Sequence, residues 1–429
     1  MALLQRCVAS HSLRLLLAVC FLFLLAIWYG KAHFYRDPLS AFYDPSRAFE
    51  RGYSFQREKE AQDWKIEAVR RLHQSDAESF PKKGDDARIC AVFITFKREE
   101  NSEYIDLAVS SALANLKLAE RENIDIRIYF ANTKPEVHPA WHSWLDDVVD
   151  ESFTASEHVS GPLWERLERL EMDKDYVGKG RLDYTVALDR CWSNSSAPYI
   201  AIIEGDVLLA EGWLARTISG LLHIAKTEHV DWLDLRLFGA DVSIGWASKE
   251  LLGNNVFWIS LGVGLPVLMF LILLRRRSQT LNPHLSTPSL FIICFIAIPG
   301  FIILFFQAGK GSTLPVISGV HRQDTFGCCT QAQVFNRQQI PDLVEHMRNE
   351  EFNLPHDLAI NQFRRDRGLA RFALYPIIAQ HFGFHSIINP NRSEEMPIWS
   401  IGFEDLKPSR LAQDHEKMVK EIYGSDAWS

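Results

Sequence analysis

Two charge-free apolar runs in the middle of the chain limit what it can fold into. The first, "VFWISLGVGLPVLMFLILL", covers residues 256–274, and the second, "LFIICFIAIPGFIILFF", covers residues 290–306. Both approach the roughly 20 residues that a helix needs to cross the hydrocarbon core of a bilayer. A pair of buried core helices is the alternative, but helices of this length that are apolar on every side are typical of membrane spans. The sequence therefore predicts transmembrane helices at 255–274 and 289–308.

A third apolar run lies near the start of the chain. "LLLAVCFLFLLAIWY" covers residues 15–29 and is preceded by Arg6 and Arg14. A cleaved signal peptide is the rival interpretation, since a small-x-small triplet, "GKA", follows the run. The aromatic end of the run, "WY", is more typical of an interfacial anchor. We therefore expect an uncleaved signal anchor at 13–30.

The charges that flank these runs predict an orientation. The loop 275–288 begins with three arginines, and the basic tail 1–12 precedes the first run. By the positive-inside rule, both segments face the cytosol, and the rest of the polar chain is lumenal. Glycosylation acceptor triplets at Asn194 and Asn391 fall in the lumenal parts, in agreement with this topology. The compartment indicated is the secretory pathway.

The predicted organisation along the chain has eight parts. In order, they are a cytosolic tail (1–12), a signal anchor (13–30), a lumenal juxtamembrane stem (31–85), a first domain half (86–254), a membrane helix (255–274), a cytosolic loop (275–288), a membrane helix (289–308) and a second domain half (309–429).

The chain has seven cysteines. Four of them, Cys90, Cys191, Cys328 and Cys329, fall in the lumenal parts, where disulfides persist. Four cysteines allow three pairings, and the sequence does not choose among them. None shows the spacing of a metal site.

The first lumenal part alternates between strand and helix patterns. The predicted strands cover 89–96, 124–132, 199–203 and 231–239, and the predicted helices cover 103–121, 182–192 and the apolar face that runs from Leu214 to Ala225. This alternation predicts an α/β domain with a largely parallel sheet, in which ligands bind at the carboxyl ends of the strands.

The second lumenal part is short, and two interpretations of it are open. It begins with two strand-like segments, "GSTLPVIS" at 311–318 and "GCCTQAQVFNR" at 327–337, which two helical patterns follow. It is long enough for a small domain of its own. Its strands lack helical partners in alternating order, however, so completion of the first half is the more economical interpretation. A hairpin brings its own two ends together, which suits an insertion.

Two carboxylates follow a predicted buried strand in "YIAIIEGDVLLAEGWL", residues 199–214. Glu204 and Asp206 are separated by one glycine. A solvated loop or helix cap is the common explanation for such a pair. A carboxylate acid/base pair, as in glycoside hydrolysis, is another. The position at a strand end and the tight Gly turn favour a third, a Mg²⁺ or Mn²⁺ site that takes further ligands from substrate phosphates.

Several motifs resemble those of known glycosyltransferases. "IAIIEGDVLLAEGW" is similar to the DXD region of GT-A glycosyltransferases, with Glu in the first position as in the E-D-D of branching N-acetylglucosaminyltransferases. "AQHFGFHSII", residues 379–388, resembles the "QHxGxxSS" segment of those enzymes. The full layout, together with "CCTQAQVFNR" and "LPHDLAINQF", resembles the GPI-N-acetylgalactosamine transferase family of the Golgi. This resemblance implies a GT-A-like domain interrupted by a tandem transmembrane hairpin.

The resemblance also implies an activity and a metal site. The activity is transfer of N-acetylgalactosamine from UDP-GalNAc to a mannose of the GPI glycan core, with inversion at the anomeric carbon. Glu204 and Asp206 are then expected to bind Mn²⁺ (or Mg²⁺) and the diphosphate, with His381 as a third metal or phosphate contact. A lone His is often structural, and that explanation of His381 stays open.

Further residues are candidates for the chemistry. In-line displacement needs a carboxylate to take the proton of the acceptor hydroxyl, and Asp357 is the candidate, with a first-turn or capping acid as the alternative. Glu404 and Asp405 are held in reserve, and a solvated surface pair is the favoured explanation of them. For the nucleotide, the segment "TFKRE" offers Thr95, Lys97 and Arg98, and a solvated basic turn is its alternative. Asp183 is a further candidate for a nucleotide contact, which helix capping explains equally well.

The expected partners follow from the same resemblance. The acceptor is a GPI-anchored protein or a GPI glycolipid, and the location is the Golgi membrane. A net charge of −8 without a basic tract gives no indication of nucleic-acid binding. An N-glycan-directed N-acetylglucosaminyltransferase and a non-catalytic GPI-binding scaffold remain as alternatives. The donor sugar and the oligomeric state stay open.

Overall fold

The protein is described here by a computed structural model. The structure describes residues 11–74, 79–97, 104–240, 245–246, 255–314, 316–323, 329–349, 354–383 and 398–424. The chain divides into two compact units, the first made of residues 1–50 and 241–316 and the second of residues 51–240 and 317–429.

The elements are numbered in chain order. The helices are α1 (His11–His33), α2 (Tyr53–Leu72), α3 (Tyr104–Leu113), α4 (Leu118–Glu122), α5 (Leu145–Val148), α6 (Pro162–Met172), α7 (Tyr176–Asn194), α8 (Trp213–Thr227), α9 (Val256–Arg277), α10 (Thr287–Gln307), α11 (Lys310–Thr313), α12 (Ile340–Arg348), α13 (His356–Asp366), α14 (Ile401–Glu404) and α15 (Pro408–Tyr423). The strands are β1 (Ile89–Thr95), β2 (Ile124–Phe130), β3 (Glu151–Thr154), β4 (Tyr199–Glu204), β5 (Val207–Leu209), β6 (Trp232–Arg236), β7 (Gly319–Arg322), β8 (Ala332–Asn336), β9 (Ala370–Tyr375) and β10 (Ala379–His381).

The first unit contains the three long apolar helices α1, α9 and α10. Each is long and apolar enough to cross a membrane, which makes the unit compatible with membrane insertion. Helices α1 and α10 meet where the rings of Phe23 and Phe301 stack with centroids 4.3 Å apart. Gly300 lies at the same crossing, and a Cβ there would overlap the Phe23 ring. Small residues at such crossings let membrane helices approach closely.

One strand predicted from the sequence is wrong. The segment "GSTLPVIS" contributes to the short helix α11, and the strand β7 begins only at Gly319. The cause is a distant partner in the first unit, because the backbone N–H and the hydroxyl of Ser312 both donate to Asp37, at 3.1 and 3.0 Å. A local pattern of apolar residues carries no information about such a contact.

The second unit is built on a mixed sheet of eight strands, in the order β3-β2-β1-β4-β8-β6-β9-β7. Strands β3, β2, β1 and β4 are parallel neighbours, β8 is antiparallel to both β4 and β6, and β7 is antiparallel to β9. Six strands therefore share one direction, and β8 and β7 run the opposite way. The predicted fold class, α/β with a largely parallel sheet, agrees with this arrangement. Strands from both chain segments lie in the one sheet, since β8 fills the place between β4 and β6.

Helices cover both faces of this sheet. One core packs α2, α3, α8 and α15 against it, and a second core packs α6, α7, α12 and α13 against the other face. Because the central strands are buried on both faces, their sequences are nearly continuous apolar runs. Because six strands are parallel, their carboxyl ends meet along one edge, and β8 brings its amino end to that same edge.

Helix α2 packs within this second unit, although the sequence analysis places its residues in the stem 31–85. Its Arg57 is fully buried and donates from Nε to the carbonyl of Leu209 (2.8 Å) and from Nη2 to that of Ser111 (2.8 Å). A buried guanidinium with backbone acceptors is well satisfied, and it fixes α2 against α3 and β5.

Of the disulfide pairings left open by the sequence, the structure contains Cys90–Cys191. The two Cα atoms are 5.9 Å apart, and the bond joins β1 to α7 inside the second core. Cys329 is disulfide-bonded as well, and Cys328 lies outside the described residues.

A buried charge cluster closes the second unit at its C-terminal helix. His415 of α15 contacts the fully buried Glu120 through Nε2 (2.7 Å) and faces Glu211 through Nδ1 (3.8 Å). Burial alone would lower the pKa of His415, but the hydrogen bonds and charges of Glu120 and Glu211 raise it to about 9. His415 is therefore held as an imidazolium between two carboxylates.

This cluster predicts a pH dependence of stability. The folded pKa of His415 lies above the unfolded value near 6.5, so its contribution is complete below pH 6.5 and is lost as pH rises through 9. At 1.36 kcal/mol per pKa unit, the difference in unfolding free energy between wild type and His415→Gln should fall by about 3 kcal/mol across that window. Denaturant unfolding in detergent measures it, and a difference that stays constant with pH would contradict the assignment.

Candidate functional site

The two carboxylates of the E-G-D turn lie where β4 ends. The N–H of Glu204 donates to the carbonyl of Gln331 (2.8 Å), and the N–H of Gly205 donates to the carbonyl of Ile94 (2.8 Å). A Cβ on Gly205 would come within 3.0 Å of that carbonyl and 3.2 Å of the Thr95 Cβ. Only glycine therefore fits without displacing β1, and the turn that carries both carboxylates packs closely against the carboxyl end of β1.

A short pair of strands brings His381 to this turn. Strand β5 begins directly after Asp206 and pairs antiparallel with β10, so that His381 lies opposite Val207. The N–H of Phe382 donates to the carbonyl of Asp206 (3.0 Å). As a result, His381 Nε2 lies 3.2 Å from Asp206 Oδ2.

Glu204, Asp206 and His381 form a compact cluster. One ligand atom from each lies within 4.8 Å of the other two. Asp206 is buried, while His381 and Glu204 keep partial exposure. Two carboxylates and one imidazole are donors that Mn²⁺ accepts, and Mg²⁺ prefers the oxygens among them. The residues of the cluster therefore fit the divalent cation expected from the sequence.

Glu204 is also connected, through Thr330, to His356. Thr330 Oγ1 donates to Glu204 Oε1 (3.2 Å) and lies 2.7 Å from His356 Nε2. The His356 ring stacks on Tyr184, with centroids 5.1 Å apart and planes 16° from parallel. Burial lowers the pKa of His356, although the charge of Asp357 acts in the opposite direction. The imidazole is therefore neutral at physiological pH.

Asp357 follows this histidine in the first turn of α13. Its Oδ1 accepts from the N–H of Leu358 (2.8 Å), and its charge acts on Arg236 at the carboxyl end of β6. Burial and the neighbouring Arg371 lower the pKa of Arg236 to about 10, while Asp234 and Asp357 act to raise it. Asp357 is partly exposed, and its interaction with Arg236 puts it near the carboxyl end of β6.

Thr95, the last residue of β1, contacts a buried histidine, His138. Thr95 Oγ1 lies 3.0 Å from His138 Nε2, and His138 Nδ1 accepts from the N–H of Ala140 (3.2 Å), so Nε2 carries the proton. Burial, with a contribution from the charge of Lys97, lowers the pKa of His138 to about 4. Lys97 is exposed and donates its backbone N–H to Asn132 (2.9 Å). Arg98 lies outside the described residues.

Asp183 lies inside the protein. It sits in the middle of α7, where Lys179 Nζ (2.8 Å) and the hydroxyl of Tyr129 (2.8 Å) donate to it. Burial raises its pKa, although Lys179 and Tyr129 act to lower it. The residue that caps α7 is Asp175, which accepts from the N–H of Gly178. The structure thus places Asp183 in a core ion pair and removes the capping explanation.

The reserve candidates for the base differ in their surroundings. Glu404 is buried and accepts from the N–H groups of Gly52 (2.6 Å) and Ser54 (3.2 Å), which open helix α2. Its other oxygen accepts from Gln380 Nε2 (2.7 Å). Glu404 is therefore committed to a helix terminus, and it holds β10 in place beside His381. Asp405 is exposed.

Sequence reasoning missed Thr330, His356 and Arg236. Thr330 lies in "CCTQAQVFNR" and His356 in "LPHDLAINQF", two motifs singled out for the resemblance, but no role was predicted for either residue. The available signal was position, because Thr330 lies in the strand-like segment 327–337 and His356 begins a helix. Position alone was insufficient to connect these residues with Glu204, because the sequence does not show that β8 lies beside β4.

The fold and this cluster define a mixed α/β protein that gathers two carboxylates and an imidazole at the carboxyl edge of its sheet. The family model described as GPI-N-acetylgalactosamine transferase PGAP4 matches residues 89–380, which include Glu204 and Asp206 and end one residue before His381. The chain belongs to this family, whose name implies a glycosyltransferase. Among curated proteins, none matches the chain.

Proposed function

We propose that this protein is a metal-dependent, inverting glycosyltransferase that moves N-acetylgalactosamine from UDP-GalNAc to a mannose of the GPI glycan core. The observation that carries the proposal is the convergence of Glu204, Asp206 and His381 in a member of this family. The proposal includes a GT-A-like fold for the second unit, with α9 and α10 inserted in the chain as a membrane hairpin.

The reaction proposed is a single displacement at the anomeric carbon. The acceptor hydroxyl oxygen forms the new bond to this carbon while the bond to UDP breaks, and the electron pair leaves with the diphosphate. Asp357 takes the proton of the acceptor hydroxyl. Glu204, Asp206 and His381 would hold a Mn²⁺ that offsets the charge developing on the diphosphate. Attack from the face opposite the leaving group inverts the configuration.

In this proposal, the nucleotide binds at the edge of the sheet where β1 and β4 end. Thr95 lies against Gly205 and contacts His138, so it lines the nucleotide site next to the two carboxylates. Lys97 is exposed two residues further on and is positioned to pair with phosphate. Asp183 is left out of this proposal, because Lys179 and Tyr129 already occupy its carboxylate.

We place the second unit in the lumen of the Golgi, with the N-terminal tail and the loop 275–288 in the cytosol. The buried Cys90–Cys191 disulfide of the second unit supports an oxidising compartment for it. Three apolar helices support a membrane-embedded chain. The acceptor proposed, a GPI-anchored protein or a GPI glycolipid, is itself held at the bilayer.

The test is a transfer assay with the full-length protein in detergent. We expect Mn²⁺-dependent incorporation of N-acetylgalactosamine into a GPI acceptor, loss of the reaction with EDTA, and recovery on adding Mn²⁺ back. UDP-GlcNAc and UDP-Gal, offered under the same conditions, should serve as poor donors. NMR of the product should show the β linkage expected from inversion of an α-linked donor.

Other outcomes would select among the alternatives. Preferred use of UDP-GlcNAc on an N-glycan acceptor would replace the GPI assignment. Binding of GPI without UDP-sugar turnover, with any metal, would favour a non-catalytic scaffold. Full activity in EDTA would remove the metal from the proposal.

A further inference from the structure

Three side chains form a directed chain of hydrogen bonds that ends on Glu204. An ionised carboxylate only accepts, so the single proton of the Thr330 hydroxyl points to Glu204 Oε1, 3.2 Å away. The Thr330 oxygen then accepts from His356 Nε2, 2.7 Å away, which requires the Nε2–H tautomer of the imidazole. Donation therefore runs in one direction, from His356 through Thr330 to Glu204.

Each member of this relay is held by the fold. Thr330 lies just before β8, and the adjacent Gln331 accepts through its carbonyl from the Glu204 N–H (2.8 Å), so Thr330 and Glu204 are tied through the backbone as well. The His356 ring is fixed by stacking on Tyr184. Gly180 lies near the same ring, since a Cβ built there would be 3.9 Å from His356 Nδ1.

We propose that Thr330 and His356 are positioning residues, which orient the Glu204 carboxylate toward the cluster with Asp206 and His381. In this role they act on the metal through Glu204. A hydroxyl that donates to one carboxylate oxygen restricts rotation of the group and so fixes its plane. Partners of this kind typically change metal affinity by about 10- to 100-fold. This inference rests on the metal site of the proposed function.

The test measures Mn²⁺ affinity directly in the full-length protein with UDP present, by the electron paramagnetic resonance signal of free Mn²⁺. Thr330→Val keeps the shape of the side chain and removes the hydroxyl, and we expect it to weaken Mn²⁺ binding by at least about tenfold. Thr330→Ser restores the hydroxyl and should stay near wild type. His356→Phe keeps a ring over Tyr184 without a donor and should weaken binding in the same direction.

The double variant Thr330→Val with His356→Phe distinguishes a relay from two independent defects. In a relay, it binds Mn²⁺ no more weakly than Thr330→Val alone, because the connection is already broken. Unchanged Mn²⁺ affinity in Thr330→Val and His356→Phe, whatever their melting temperatures, would overturn the inference while leaving the metal site intact. Absence of Mn²⁺ binding in wild type itself would overturn the proposed function, and the inference with it.

Discussion

Replacement of Asp206 by Asn is expected to reduce transfer by at least about 10³-fold, a loss of roughly 4 kcal/mol of transition-state stabilisation. Asp206 is 1% exposed and contacts His381 at 3.2 Å. Asn preserves the volume and one acceptor oxygen but removes the negative charge from the centre of the cluster. A divalent cation would then be held by one carboxylate, Glu204, and a neutral imidazole. Initial rates with UDP-GalNAc, GPI acceptor and saturating Mn²⁺ measure the effect.

A matched control separates this effect from a change in folding or in overall charge. Asp414→Asn removes the same charge from a carboxylate that is 41% exposed and pairs with Arg216, and its activity should remain near wild type. The second unit should unfold at similar denaturant concentrations in both variants. If Asp206→Asn kept more than a tenth of wild-type activity, the cluster would not be the metal site of the reaction.

The placement of Glu204 and Asp206 was predictable because it depends on short-range physics. An apolar run that ends in E-G-D identifies a buried strand and a tight turn, and the parallel direction of β1 and β4 follows from the intervening helices. Parallel strands present their carboxyl ends at one edge. The structure places both carboxylates there, with Gly205 packed against the neighbouring strand.

The rest of the site depends on contacts between distant parts of the chain. His381 reaches Asp206 only through the pairing of β5 with β10, two strands of three residues that carry no periodic signal. Thr330 reaches Glu204 because β8 enters the sheet between β4 and β6 in the antiparallel direction. A sequence pattern reports the faces of an element but not its neighbour, so His381 was expected at the site only from the family resemblance, and Thr330 was not assigned.

The sequence also does not show which carboxylates have partners from distant parts of the chain. Asp183, Glu404 and Asp357 each lie in a helix, and the sequence analysis named all three as candidates. Asp183 is taken up by Lys179 and Tyr129 in the core. Glu404 is taken up by the first N–H groups of α2, some 350 residues earlier in the chain. Asp357 alone keeps partial exposure at the carboxyl edge of the sheet.

Asp357 is the second residue whose replacement should have a large effect on the reaction. We expect Asp357→Asn to lower kcat by about 10²- to 10⁴-fold, the usual contribution of a positioned general base. The side chain belongs to the residue after His356, whose imidazole is connected through Thr330 to Glu204. It also lies close enough to Arg236 for the two charges to interact. The KM for UDP-GalNAc and the Mn²⁺ affinity should change little, because Asp357 is absent from the cluster.

Variants of Glu404 and Asp405 test whether Asp357 is the general base. Asp405→Asn alters an exposed carboxylate and should leave kcat unchanged. Glu404→Gln removes the charge that receives the N–H groups of Gly52 and Ser54, and it should lower the unfolding free energy by about 1–3 kcal/mol. Its kcat, measured on the folded fraction, should fall far less than that of Asp357→Asn. A selective loss of kcat in Asp405→Asn or Glu404→Gln, with Asp357→Asn active, would transfer the base to that residue. A large rise in KM for UDP-GalNAc in Asp357→Asn, with kcat retained, would make Asp357 a binding residue, because a base acts only in the transition state.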